Sequence, residues 1–245
     1  MSFYLIGLGL DLKSISLEAL EICRRADKVY IENYTAEIPY DIMNLEKIIG
    51  KRIFLLTRIM VENEKFVEEA KNKNIVLLTY GSPLIATTHI SIILKCRKEN
   101  ISYKILHNSS IFDAITETGL QIYKFGKTAS IPFQKDVVSP YNVLNDNQKL
   151  GLHTLFLLDL KDNKFLSINE AIDYLLKTES KEKRGIFSED TLCIGCCQIG
   201  SAEEIIKSGK ARDLLKLRFS KFPQCLIVPG KLHFMEEEVL DFYKI

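Results

Sequence analysis

Three short stretches put small and polar residues where chemistry could be done. Gly7 and Gly9 stand in "GLGL" after the apolar run "FYLI", and Gly81, Ser82 and Pro83 lead from "IVLLTY" into Thr87, Thr88 and His89. His107, Asn108, Ser109 and Ser110 follow "ISYKIL". Glycine lets a ligand or another backbone come close, hydroxyls exchange hydrogen bonds, and a neutral imidazole can take a proton. In a parallel sheet the ends of those runs share one edge, and open α/β sheets bind ligands there. The spacing predicts a small-molecule site. The plainer alternative is an ordinary strand–turn–helix joint, in which Thr87 or Thr88 only caps the next helix.

Several familiar chemistries lack their residues. Gly7 and Gly9 begin a G-x-G-x-x-G pattern, but position 12 is Leu, and Glu32 alone stands near the place of a ribose-binding acid. "GKTAS" at 126–130 has no glycine at the phosphate-loop distance. His89, His107, His153 and His233 form no H-x-x-x-H or H-E-x-x-H pair, and there is no G-x-S-x-G elbow. Cys193 and Cys196 have C-x-x-C spacing, but "TLCIGCCQ" reads as a strand. Alternation along a strand puts Cys193 and Cys197 on one face and Cys196 on the other, so no metal is expected and the six cysteines read as buried free thiols.

Elements that could hold such a site are legible in the first half. "FYLIGLG", "KVYIENY", "RIFLL", "IVLLTY" and "ISYKILH" are apolar runs of strand length, separated by the helix candidates "SLEALEICRRA", "ENEKFVEEAKN" and "TTHISIILKCRKEN". Continuous apolar strands between helices predict a parallel sheet buried on both faces. The second half is less regular. "KTASIPF", "TLFLLDL", "TLCIGCCQ" and "CLIVPG" read as strands, "SSIFDAITETG" as helical to Gly119, and "ARDLLKL" and "FMEEEVLDFYK" as short helices. In "SINEAIDYLLKTES", Ser167 and Glu170 form an S-x-x-E capping box, and "KTESKEKRG" at 177–185 reads as a solvated loop. The change in regularity predicts two α/β domains, 1–109 and 110–245.

The 245 residues carry 33 Lys plus Arg against 32 Asp plus Glu, a balance that gives no footprint for nonspecific nucleic-acid or anionic-membrane binding. The opening "MSFYLIGLGLDLKSIS" has no basic, cleavable signal, and no apolar run approaches the ~20 residues of a membrane span, so a cytoplasmic protein is expected.

Taken in order, "YLIGLGL", "ISLEALE", "GSPLIATTH", "HNSSI", "YKFGK", "GLHT", "LDLK", "NEAIDYLL" and "LIVPGKLH" resemble the S-adenosylmethionine-dependent methyltransferases of tetrapyrrole methylase fold, and within them the diphthine synthase family. The resemblance runs almost end to end. It implies two α/β domains with a cofactor cleft between them, S-adenosylmethionine as methyl donor and S-adenosylhomocysteine as product. It implies transfer of methyl groups to the amino nitrogen of the 3-amino-3-carboxypropyl-histidine of translation elongation factor 2, by a homodimer, in diphthamide biosynthesis. The family's cofactor contacts fall on Leu10, Ser82, Ile85, Ser110, Ile111, Leu158, Ile199 and Gln224. One departure stands out: the family's Gly-Asp-Pro turn is Gly81-Ser82-Pro83 here, which removes a carboxylate.

The rival expectations are methylation of a tetrapyrrole by the same fold, or a noncatalytic adaptor that binds the elongation factor. Residue types offer His89 or His107 as proton acceptors, and Lys124, Lys127 or Lys231 as partners for the substrate carboxylate, without singling out a catalytic residue.

Overall fold

The computed structural model describes residues 1–161 and 164–245. Two compact units divide the chain, Met1–Asp113 and Ala114–Ile245.

The first unit is built on a five-stranded sheet, with order β3-β2-β4-β1-β5. Its strands are β1 (Phe3–Gly7), β2 (Lys28–Glu32), β3 (Ile53–Leu56), β4 (Ile75–Thr79) and β5 (Tyr103–Leu106). Every pairing is parallel, with Phe3 opposite Ile75 on one side and Tyr103 on the other. All five residues of β4 are buried, as a central strand covered on both faces must be. Helices α1 (Leu17–Arg25) and α2 (Ile42–Ile49) pack on one face, where Ala19, Cys23, Leu45 and Ile49 meet Ile6, Ile31, Val76 and Leu78. On the other face Ile92, Ile93 and Cys96 of α4 (Ile90–Lys98) meet Phe3, Leu5, Ile75 and Leu77. Ser16 caps α1 by accepting the Ala19 amide at 3.2 Å. The segment "ENEKFVEEAKN" forms a 3-10 helix, Lys65–Lys71, rather than an α-helix, after the single turn of α3 (Arg58–Glu62).

Beyond α5 (Ile111–Ala114), the second unit has a mixed sheet of order β11-β10-β12-β7-β6. The strands are β6 (Ala129–Ile131), β7 (Thr154–Leu158), β10 (Leu192–Cys197), β11 (Ile205–Lys210) and β12 (Gln224–Val228). Only β6 against β7 is parallel. A small two-stranded sheet, β8 (Leu160–Lys161) with β9 (Lys164–Phe165), precedes α7. Helices α6 (Ser139–Lys149) and α7 (Ile168–Glu182) bury Tyr141, Leu144, Ile172 and Leu175 in one core with Phe156, Cys193, Cys197 and Leu226. The Ser167–Glu170 capping box starts α7 in both directions, as the sequence predicts. The same helix runs on to Glu182, so most of the expected loop at 177–185 is helical. Short α8 (Ala211–Leu214) and α9 (Phe234–Asp241) complete the unit.

Candidate functional site

Each candidate residue of the first unit stands at the carboxyl edge of its sheet, because β4, β1 and β5 are neighbours. Beyond β1 the chain crosses to the turn after β4: Gly9 and Gly81 exchange both backbone hydrogen bonds, each at 3.0 Å. Both lie at positive φ, 74° and 75°, where glycine carries no Cβ penalty. Asn108, after β5, ties the third end in. Its Nδ2 donates to the carbonyls of Gly7 (3.1 Å) and Ser14 (2.9 Å). Its backbone N–H points to Ser82 Oγ at 3.4 Å.

Glycine is needed here because neighbouring backbone and side chains crowd both positions. A Cβ on Gly7 would stand 2.5 Å from the Gly81 carbonyl oxygen, and one on Gly9 would stand 2.5 Å from Ser14 Cβ. Gly81 differs. A Cβ built on it meets nothing nearer than the Ser109 oxygen at 3.8 Å, with Leu10 Cδ2 and Ser110 Cα at 3.9 Å. The three stretches therefore converge on the Gly81 backbone, where an added Cβ would only touch Leu10, Ser109 and Ser110 at ordinary contact distance.

Ser82 is 6% exposed and Ser110 4%. Ser110 Oγ donates to Asp113 Oδ2 at 2.8 Å and accepts the Phe112 amide at 3.2 Å, so its side chain shapes the turn into α5, where Ile111 is the first residue. The Leu10 carbonyl accepts Tyr80 Oη–H at 3.1 Å. Ile85 is 38% exposed and stands between Leu84 and Ala86, whose positive φ values of 68° and 53° are costly for non-glycine residues.

The stretch ends on His89, at the N-terminal boundary of α4. Neither Thr87 nor Thr88 caps that helix, and His89 makes no side-chain capping bond. His89 is 1% exposed, and neither ring nitrogen finds a hydrogen-bond partner among the described residues. Burial pulls its imidazole down to about 4. Its Nε2 stands 3.9 Å from Glu32 Oε1. Glu32, also buried, commits its carboxylate to its own stretch of chain. It closes the end of β2 by accepting the amides of Tyr34 (3.1 Å) and Thr35 (3.2 Å) and the Thr35 hydroxyl (2.5 Å). Burial raises its carboxyl above the usual range, against the lowering effect of those bonds. His107 is exposed.

The second unit gathers the other three candidates at one end of its own sheet. Cys225 pairs with Leu157 and Gln224 with Cys197, so Gln224 lies between Leu158 and the end of β10, two residues before Ile199. The Gln224 side chain is fully used. Its Oε1 accepts the Ile168 amide at 2.9 Å, and its Nε2 donates to the carbonyls of Phe219 (3.1 Å) and Lys221 (3.0 Å). It holds the start of α7 and leaves only backbone for a ligand.

A buried polar cluster in this unit was invisible in the sequence. His153 Nδ1 accepts the Gly230 amide at 3.0 Å, which puts the ring proton on Nε2, 3.1 Å from Glu236 Oε1. Glu236 also accepts the amides of Gln121 (3.0 Å) and His233 (2.7 Å) and the ammonium of Lys124. Burial raises the Glu236 carboxyl, but Lys124, the two amides and His153 outweigh it and carry it down to about 2. Lys124 is committed here and to the Lys231 carbonyl at 2.7 Å, which removes it as a free cation for a substrate carboxylate. Lys127 and Lys231 are exposed.

The description Tetrapyrrole (Corrin/Porphyrin) Methylases fits residues 2–215 of the chain. A protein named diphthine synthase from Methanocaldococcus jannaschii is 41% identical over 249 residues, covering 97% of both chains. Another of that name, from Methanococcus maripaludis, is 44% identical over 245 residues, covering 96% of both. A crystal structure of diphthine synthase superposes with a TM-score of 0.90 at 36% identity, covering 99% of this chain and 96% of that one.

Proposed function

The chain belongs to the tetrapyrrole methylase family and, within it, to the diphthine synthases, and from that premise we propose that it methylates the amino nitrogen of the 3-amino-3-carboxypropyl-histidine of translation elongation factor 2. It is a methyltransferase of diphthamide biosynthesis. The reading takes S-adenosylmethionine as methyl donor and assigns to it Leu10, Ser82, Ile85, Ser110, Ile111, Leu158, Ile199 and Gln224. The observation that carries it is the joining of three strand ends at one sheet edge, where Gly9 and Gly81 exchange two backbone hydrogen bonds and Asn108 bonds the Gly7 carbonyl.

When bound, the donor supplies a methyl group on a sulfonium, whose leaving sulfur is neutral and needs no proton. What remains for the protein is to position the amine in line and to keep water out. Leu10 and Ile85 supply apolar surface for that exclusion. Backbone groups at 82 and 110 orient, because the hydroxyl of Ser110 is already bonded within its own turn. Lys127 and Lys231 are the exposed cations left for the substrate carboxylate. The same reading makes the working form a cytoplasmic homodimer, which sedimentation velocity tests.

Incubation with labelled S-adenosylmethionine and elongation factor 2 carrying the unmethylated precursor, followed by mass spectrometry of the modified peptide, tests the function. Methyl increments on that peptide are expected. An unmodified peptide beside a labelled small tetrapyrrole would transfer the chain to the family's other chemistry.

A further inference from the structure

His89 and Glu32 are a buried acid–base couple that no other part of the site explains. Both are 1% exposed, at the carboxyl ends of β4's turn and of β2. Glu32 is satisfied by the Tyr34 and Thr35 amides and the Thr35 hydroxyl. His89 is not: Nδ1 and Nε2 are both without partners among the described residues, and so is the buried Oγ1 of Thr87. Natural proteins seldom bury polar atoms unpaired, and each exception calls for a role, such as catalysis or a bound water or ion. The chemistry of this set selects the guest. A neutral imidazole offers a lone pair, Thr87 offers a hydroxyl, and a carboxylate stands 3.9 Å behind the imidazole. A group with N–H donors and positive charge suits all three.

We propose that His89 accepts the proton of the substrate's ammonium group and that Glu32 is the counter-charge that holds the resulting imidazolium. The inference rests on the methyltransferase reading above. An alkyl ammonium has no lone pair with which to attack, and at neutral pH it is the dominant form. The His89 lone pair takes one proton, and the nitrogen's electron pair is freed. That pair forms the new nitrogen–carbon bond while the donor's carbon–sulfur bond breaks, its electrons staying on sulfur. The imidazolium then returns its proton to solvent. Access comes through the Leu84–Thr88 stretch immediately before His89, where Leu84 and Ala86 are held at positive φ, strain that a swing of the stretch relieves.

The other groups around His89 do not compete for the proton. The Tyr34 ring meets it edge-on, with centroids 6.3 Å apart and its own buried hydroxyl unpaired among the described residues, and the Arg58 guanidinium lies 6.0 Å from the Tyr34 ring while bonded to Glu62. Burial pulls the imidazole down, so in the ligand-free chain it is neutral at pH 7, with its lone pair free but weakly basic until a counter-charge closes on it. A carboxylate closing to hydrogen-bond distance favours the charged form.

The test uses the whole chain with S-adenosylmethionine and precursor-bearing elongation factor 2. His89→Gln should bind the cofactor within threefold of wild type by calorimetry, yet methylate at least about 100-fold more slowly at pH 7. Its rate should climb about tenfold per pH unit from 7 to 9, as free amine replaces ammonium, while the wild-type rate varies far less. Nitrogen-15 spectra of the wild-type imidazole give an independent reading that needs no variant to fold. The His89 signals should shift when the precursor-bearing factor joins the S-adenosylhomocysteine complex, and stay put when S-adenosylhomocysteine binds alone. Equal rates at pH 7, a loss that high pH does not recover, or silent imidazole signals would each overturn the proposal. A shift on S-adenosylhomocysteine alone would do so too, by assigning the pocket to the cofactor's own ammonium. A wild-type chain that leaves the factor unmethylated defeats the functional reading and this inference together. A methylating wild type with an equally fast His89→Gln defeats the inference alone.

Discussion

His153 gives its Nε2 proton to Glu236, 3.1 Å away, because the Gly230 amide occupies its other nitrogen. The pair joins residues 83 positions apart in the chain. Lys124 and the amides of Gln121 and His233 complete the set, so "YKFGK", "GLHT" and "PGKLH" meet at one carboxylate. Blocks that read as possible chemistry in the sequence are fastened together here by a structural ion.

Glu236→Gln should therefore cost stability, by about 3 kcal/mol at pH 7, since it strips the charge from a buried site built of donors. The carboxyl lies at about 2 in the folded chain, below its ordinary value near 4.5. A depressed acid stabilises above its unfolded pKa and loses that contribution as pH falls through the folded one. The gap between wild type and variant should then be full above pH 5 and close between about 4.5 and 2. Urea unfolding across that range measures it, and a gap independent of pH would refute the assignment.

Gly9→Val should lower stability rather than act on ligand binding. The residue would take a branched side chain at φ 74°, with Cβ 2.5 Å from Ser14 Cβ. The left-handed backbone alone costs about 1–2 kcal/mol and the overlap about 1–3 more. Gly50→Ala is the control, because Gly50 has a similar φ of 76° with nothing within 4 Å of its Cβ position. It should lose only about 1 kcal/mol, the backbone contribution. Comparable losses in the two variants, by denaturant melts, would show that the crossing beside Ser14 is not tight.

Gln224→Ala should behave as a folding mutation. It orphans the Ile168 amide at the start of α7 and two carbonyls, at a cost of about 1–3 kcal/mol for each group left unpaired and dry. Cofactor affinity of the folded fraction should stay within threefold, because only backbone at 224 is free. A larger loss in calorimetry, with melting unchanged, would reverse that division of labour.

Ser82→Asp restores the carboxylate seen in the resembling family. The site is 6% exposed and faces the Asn108 amide, so a charge there is screened less than one on the surface. The preference for S-adenosylmethionine over the neutral S-adenosylhomocysteine should rise about tenfold, or ~1.4 kcal/mol. Competitive binding of the two ligands measures the ratio, and an unchanged ratio would place residue 82 away from the sulfonium.

The first sheet was readable because its strands are continuous apolar runs, and the capping box of α7 because Ser167 and Glu170 stand three apart. Two elements of the second unit left weaker marks. The helix α6 is written "SPYNVLNDNQK", poor in helix formers, and is held by burying Tyr141, Leu144 and Asn147. The strand β11, "IIKSGK", contains Gly209 and takes its place from six paired residues of β10. At the site, the strand ends were legible as places, but the role of Gly7 and Gly9 was not. Their close neighbours, Pro83, Ser14 and Asn108, come from other parts of the chain, and only the folded backbone shows that glycine serves them.

The position of β1 sets an order of assembly. It is an inner strand, flanked by β4 and β5, and its partners for Phe3 are Ile75 and Tyr103. A ribosome delivers roughly 5–20 residues per second, so β1 waits on the order of 5–20 s for its second neighbour. For most of that interval, until β4 has been made, Phe3, Leu5 and Ile6 lack even their first neighbour. Closure of the first unit, and with it the crossing of Gly9 over Gly81, waits until the chain through β5 has left the exit tunnel. The β10–β11 pair of the second unit can zip within a few residues of synthesis, which makes the amino-terminal half the part of the nascent chain most in need of shelter.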